Sequence, residues 1–149
     1  MLSLSMSDQE PICKVDCDGT KRWYLNGKFH RPDGPAVENA TGNKLWYLNG
    51  KRHRVDGPAC EYADGDKQWY LNGECHRADG PAYEYADGSK EWYLNGEYHR
   101  VDGPATEYAD GTKLWYLNGK RCKPIEVFKA ATHEQRIHLL CFYASEFMP

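Results

Sequence analysis

The chain is poor in aliphatic residues: its 149 positions hold 19 Ile, Leu and Val combined, against 20 Phe, Tyr and Trp. A large aliphatic core is therefore excluded, while a net charge of −3 is too small for the usual composition of a disordered chain. No apolar run approaches the ~18 residues of a membrane helix. The opening MLSLSMSDQEP lacks the basic flank and apolar stretch of a signal peptide, so these features predict a soluble, cytoplasmic protein. The six cysteines fall at unrelated places and form no CxxC pair with a matching His or Cys pair, which points to reduced thiols and no metal. A Gly-rich phosphate loop and a nucleophile elbow are also missing.

What the chain does have is a repeat. Trp23, Trp46, Trp69, Trp92 and Trp115 stand 23 residues apart, and the segments they open share the pattern WYLNGxxHRxDGPAxE. The last stops at WYLNGKRCK, and a half repeat occupies residues 12–22. A period of this length marks a repeat architecture. The organisation read from it is a disordered leader over 1–11, an array over 12–123 and a C-terminal cap over 124–149.

All 14 glycines lie in the array, seven or eight residues apart, each closing a turn. Asn49-Gly50 and Asp64-Gly65 are dipeptides that enter type I′ turns, and Asp56-Gly57-Pro58 marks a third reversal. Short segments rich in Trp, Tyr and Ala lie between turns, the pattern of stacked β-hairpins. The expected fold class is an all-β repeat array, an elongated twisted antiparallel sheet of two or three strands per unit. Counting back from two-residue turns places Trp46 opposite His53, Val37 opposite Trp46, and Glu38 opposite Leu45. On that register the Trp face, with Leu25, Leu48, Leu71, Leu94 and Leu117, forms the core; the Tyr face, with a Glu and Arg ladder, is exposed.

The run NGKRH, a Gly reversal and then EYADG at a 23-residue period resembles the MORN (membrane occupation and recognition nexus) repeat family. WYLNG replaces the usual aromatic-x-Gly-x-aromatic strand and HRxDGPA the His-Gly-x-Gly step, so the array is similar to a MORN variant. The resemblance covers residues 12–123. It implies hairpins stacked into one twisted sheet, a scaffolding or partner-binding role and, in some members, a homodimer. Arrays of this flavour look like those of viral, bacteriophage and bacterial genomes, so a phage-encoded inhibitor of a host enzyme is the specific form of that reading.

Beyond the array, Thr132 and Gln135 form a capping box, and Ile137, Leu140, Cys141, Ala144 and Phe147 recur at helical spacing, predicting a helix that covers Trp115 and Tyr116.

His30, His53, His76 and His99, with Asp33, Asp56, Asp79 and Asp102 nearby, suggest acid/base or metal chemistry. Catalysis needs one convergent constellation, whereas four near-identical copies stand about 10 Å or more apart. The histidines, like the five tryptophans, therefore read as structural. In the cap, His133 and His138 are five residues apart and diverge by about 140° at 3.6 residues per turn, the wrong spacing for a zincin. No catalytic residue, metal ligand or cofactor is assigned, and a metal-dependent enzyme is the least favoured reading.

Charge is uneven. Residues 60–111 carry 4 basic and 12 acidic side chains, a net of −8, between two basic segments. Lys28, Lys51 and Lys120 become Glu74 and Glu97 in the central copies; Leu45 and Leu114 become Gln68 and Glu91. Two further columns vary: Phe29, Arg52, Cys75, Tyr98 and Arg121, and Val37, Cys60, Tyr83 and Thr106. An acidic, aromatic centre suits a partner protein with a basic surface and opposes nucleic acid or anionic membrane. Glu74, Glu84, Glu91, Glu97, Tyr70, Tyr93, Tyr98, Arg77 and Arg100 are the candidate contacts of this non-catalytic module. Lipid or membrane-surface binding is the alternative.

Overall fold

The computed structural model describes residues 9–148, in two compact units that divide between Gly73 and Glu74. The expected leader lies mostly outside the described residues. No helix among the described residues is long and apolar enough to cross a membrane.

In the first unit an antiparallel sheet runs in the order Ile12–Val15, Lys21–Leu25, Val37–Glu38, Lys44–Leu45, Cys60–Glu61 and Lys67–Gln68. In the second, Tyr83–Glu84, Lys90–Glu91, Thr106–Glu107 and Lys113–Leu114 pair in the same way. Each full repeat gives this sheet two strands, then adds a two-stranded hairpin such as Tyr47–Leu48 with Lys51–Arg52, or Tyr93–Leu94 with Glu97–Tyr98. The repeat therefore has four short strands, not two or three. Trp46 is the joint between them: its N–H donates to the Ala59 carbonyl at 2.8 Å and its carbonyl accepts from His53 N–H at 3.1 Å.

The Asn-Gly turns are type I′ as expected, with φ of 51° at Asn49 and 81° at Gly50. The Asp-Gly turns are not. Only Gly65 has positive φ; Tyr62 N–H bonds the Asp66 carbonyl, Gly65 N–H bonds that of Tyr62, and the Asp64 carboxylate accepts from Asp66 N–H. This is a three-residue loop with a glycine bulge.

One extra loop residue shifts the register by one, which exchanges sheet faces. Val37 therefore lies opposite Leu45, and Glu38 opposite Lys44. His53 still meets Trp46, because the Asn-Gly turn keeps its two residues. The assignment of faces reverses with the register. The Tyr side is the packed interior, where sheet residues Val37, Cys60 and Thr106 are buried and hairpin Tyr93 packs on sheet residue Tyr83 with ring centroids 5.2 Å apart. Trp23, Trp46, Trp69 and Trp92 are only half-buried on the other side, and Trp115 alone is buried.

The cap consists of two helices in place of the single one expected, α1 (Pro124–Ala130) and α2 (His133–Tyr143), followed by a 3-10 turn at Ala144–Glu146. Thr132 and Gln135 form the capping box at the start of α2. Leu139 and Val127, fully buried, close over Trp115, whose ring meets Tyr143 and Phe147 edge-on at 5.6 and 6.0 Å. The expected core stripe is corrected here: Ile137, Leu140 and Cys141 are exposed. Both sides of α2 carry apolar residues, and the two rings that fit Trp115 select the side of Leu139 and Tyr143.

Candidate functional site

The HRxDGPxxE segment of each repeat builds a clamp around one arginine. Arg54 Nε donates to Asp56 at 3.0 Å, and Nη1 donates to the Pro58 carbonyl at 3.1 Å and to Glu61 at 2.8 Å. Its guanidinium lies over Trp46, 4.0 Å from the ring centroid. Arg31 and Arg100 do the same over Trp23 and Trp92, and Arg77 makes the same three polar contacts with Asp79, Pro81 and Glu84. The glycine of DGP is required by close approach: a Cβ at Gly57 would stand 3.0 Å from the Arg54 Cζ, and at Gly103 2.5 Å from that of Arg100. The Glu and Arg ladder thus belongs to the Trp side, and Arg77, Arg100 and Glu84 are engaged within the fold. Asp56 and Asp79 titrate below the usual carboxylate range because each accepts from its clamp arginine.

The histidines tie neighbouring repeats together. His53 Nδ1 accepts from Asn72 N–H at 3.1 Å, and the pattern repeats for His30 with Asn49, His76 with Asn95 and His99 with Asn118. Their partners are turn residues of the next hairpin, and the nearby aspartates pair with arginine instead.

The two varying columns, together with the Leu45/Gln68/Glu91 column, meet in the interior, where their changes compensate in size. Arg52 sits beside small Cys60 and donates to the Tyr47 and Tyr70 hydroxyls at 3.3 Å. Small Cys75 lies 3.0 Å from the hydroxyl of large Tyr83. Glu91, 7% exposed, accepts from the Tyr93 and Tyr98 hydroxyls at 3.1 Å. Burial first, then hydrogen bonding and the Glu91 charge, raise the Tyr93 titration. Glu91 and Tyr70 are therefore corrected from exposed contacts to buried parts of the packing, and Tyr93 and Tyr98 are half-buried beside Glu91. Of the nine candidate contacts, Glu74 and Glu97 stand exposed on the hairpins, and their side chains form no ion pair or hydrogen bond among the described residues.

Sequence reasoning missed a concave feature on the Trp side. A cleft of about 540 Å³ in the first unit lies between the DGP turns of adjacent repeats, with Trp46, Leu48 and Pro35 in its lining and Asp33 and Asp56 on its edges. A cleft of about 670 Å³ in the second unit repeats it with Trp92, Leu94, Asp79 and Asp102. The signal was present in the repeated DGP, where Asp had been read as a turn residue and as a neighbour of the histidines.

No family model and no curated protein matches the chain.

Among the described residues no group of three or more His, Cys, Asp or Glu is placed to hold a metal ion. Each histidine that suggested acid/base chemistry accepts an asparagine N–H at Nδ1, and each neighbouring aspartate accepts from its clamp arginine.

Proposed function

We propose that the chain is a non-catalytic binding module, a MORN-like array that holds a partner protein of basic surface at its acidic middle repeats. The observation that carries this reading is the exposure of Glu74 and Glu97, carboxylates that occupy positions filled by lysine in the flanking copies and have no cation among the described residues to neutralise them. The exposed Asp64, Asp79 and Asp87 add charge of the same sign. Such a field steers a basic protein and repels nucleic acid and anionic lipid. A phage-encoded inhibitor of a host protein, acting in the host cytoplasm, is the specific form of the proposal, and a homodimer is compatible with it.

The test is capture of partners from lysate, identified by mass spectrometry, with the wild-type chain and with Glu74→Lys/Glu97→Lys. The double variant should lose the captured protein while its melting temperature stays within a few degrees of the wild type. Equal capture by both removes the acidic hairpins from the interface. Salt-sensitive flotation of the wild type with anionic vesicles supports the membrane-surface alternative instead.

A further inference from the structure

The clefts on the Trp side carry more chemistry than the proposed role uses. In each clamp one guanidinium faces two carboxylates, leaving a net charge of −1, and the two signs are unequally placed. In the first unit the Arg31 and Arg54 side chains are 23% and 22% exposed, whereas Asp33 and Asp56 are 83% and 84% exposed. Arg31, Arg54 and His53 also line the cleft, but both guanidiniums are held back in their clamps, so solvent meets the Asp33 and Asp56 carboxylates at the edge above a floor of indole, leucine and proline.

Spacing narrows the occupant. The equivalent strands Val37–Glu38 and Cys60–Glu61 are separated by one intervening strand, or about 9.6 Å at ~4.8 Å per strand. A polyproline II segment advances ~3.1 Å per residue, about 9.3 Å over three residues. A β-strand ligand would match neither at two residues, about 6.8 Å, nor sit flush at three, where its side chains alternate. Aromatic grooves are also the surfaces on which polyproline II ligands dock.

We infer that the first-unit cleft binds an extended, proline-rich peptide segment carrying lysine at every third position, its prolines on Trp46 and Leu48 and its ammonium groups at Asp33 and Asp56. The inference rests on the binding-module reading and specifies the partner's chemistry at a second surface of the same array. Low titration of the Asp56 carboxyl keeps that edge charged into mildly acidic conditions.

The probe is the peptide acetyl-PPKPPKPP-amide, titrated into the full chain by calorimetry, beside acetyl-PPKKPPPP-amide of equal composition and a version with Glu for Lys. The spaced peptide should bind about fivefold more tightly than the grouped one, the Glu version should not bind, and added salt should weaken the spaced complex. Asp33→Asn/Asp56→Asn should weaken it about tenfold. If that variant is unstable, Val55→Lys provides the second arm, since Val55 lies on the cleft at 83% exposure and a cation there should weaken binding without a structural cost. Equal affinity for the two lysine peptides, or affinity unchanged in the cleft variants, overturns the inference. Lysate capture that still depends on Glu74 and Glu97 would then leave the binding-module reading standing alone.

Discussion

The interiors of the two units solve one packing problem with opposite charges. In the first, Leu45, Arg52 and Cys60 occupy the variable columns, and the guanidinium rests between the Tyr47 and Tyr70 hydroxyls. In the second, Glu91, Tyr98 and Thr106 hold the same repeat positions, and a buried carboxylate accepts from two tyrosines. Tyrosine serves both because its hydroxyl can accept or donate. What is constant is therefore the tyrosine frame and the total volume, while the identity of the buried polar group is free to change. The clamps on the opposite side keep one chemistry in every copy, an arginine donating to an aspartate, a proline carbonyl and a glutamate.

The sharpest way to break this comparison is Glu91→Ala. It strands two half-buried hydroxyls beside a new gap and should cost about 2 to 3 kcal/mol in urea denaturation, more than removal of an exposed carboxylate such as Glu97. Next, transplanting the first-unit set as Glu91→Leu/Tyr98→Arg/Thr106→Cys should recover most of that loss, to within about 1 kcal/mol of wild type, through favourable coupling among three touching residues. A triple variant less stable than the sum of its single changes would show that the two interiors are not interchangeable.

Smaller and equal effects are expected where the units agree. Gly57→Ala and Gly80→Ala should each destabilise by about 1 to 2 kcal/mol, since a Cβ at either site meets its clamp arginine at 3.0 Å and pushes it from its stack. Smallest is the acid limb. Asp56 and Asp79 have folded titrations below the ordinary aspartate value of 3.8, so their contribution is present above that value and is lost as pH falls below it toward the folded one. Asp56→Asn and Asp79→Asn should flatten the decline of melting temperature between pH 5 and 2 to a similar, modest extent. Unequal flattening would mean that the clamps differ between units.

Much of the frame was legible before any coordinates. The Trp period is visible by counting along the chain, and the Asn-Gly type I′ turns, the His to Trp pairing and the capping box at Thr132 follow from local chemistry, because each depends on residues joined by a single turn. The sheet register was not legible, since Asp-Gly serves a two-residue or a three-residue loop equally well and the difference lies in one backbone angle. That single residue decided which of the adjacent Trp and Tyr rows faced inward. With it went the placement of Glu91 and Tyr70, taken as surface residues and found packed inside. The buried side of α2 was equally hidden, because Ile137 and Leu140 look as apolar as Leu139 until Trp115 meets Tyr143 and Phe147.

By itself, then, the sequence determined that this is a repeated β-hairpin protein with a helical C-terminus and an acidic middle, since turn chemistry, periodicity and net charge are properties of neighbouring residues along the chain. Only the tertiary structure decided which face is interior, which side of α2 is buried, and where the open clefts lie. Those outcomes depend on loop length at each reversal and on packing between residues 18 to 36 positions apart, distances over which local pattern carries no information.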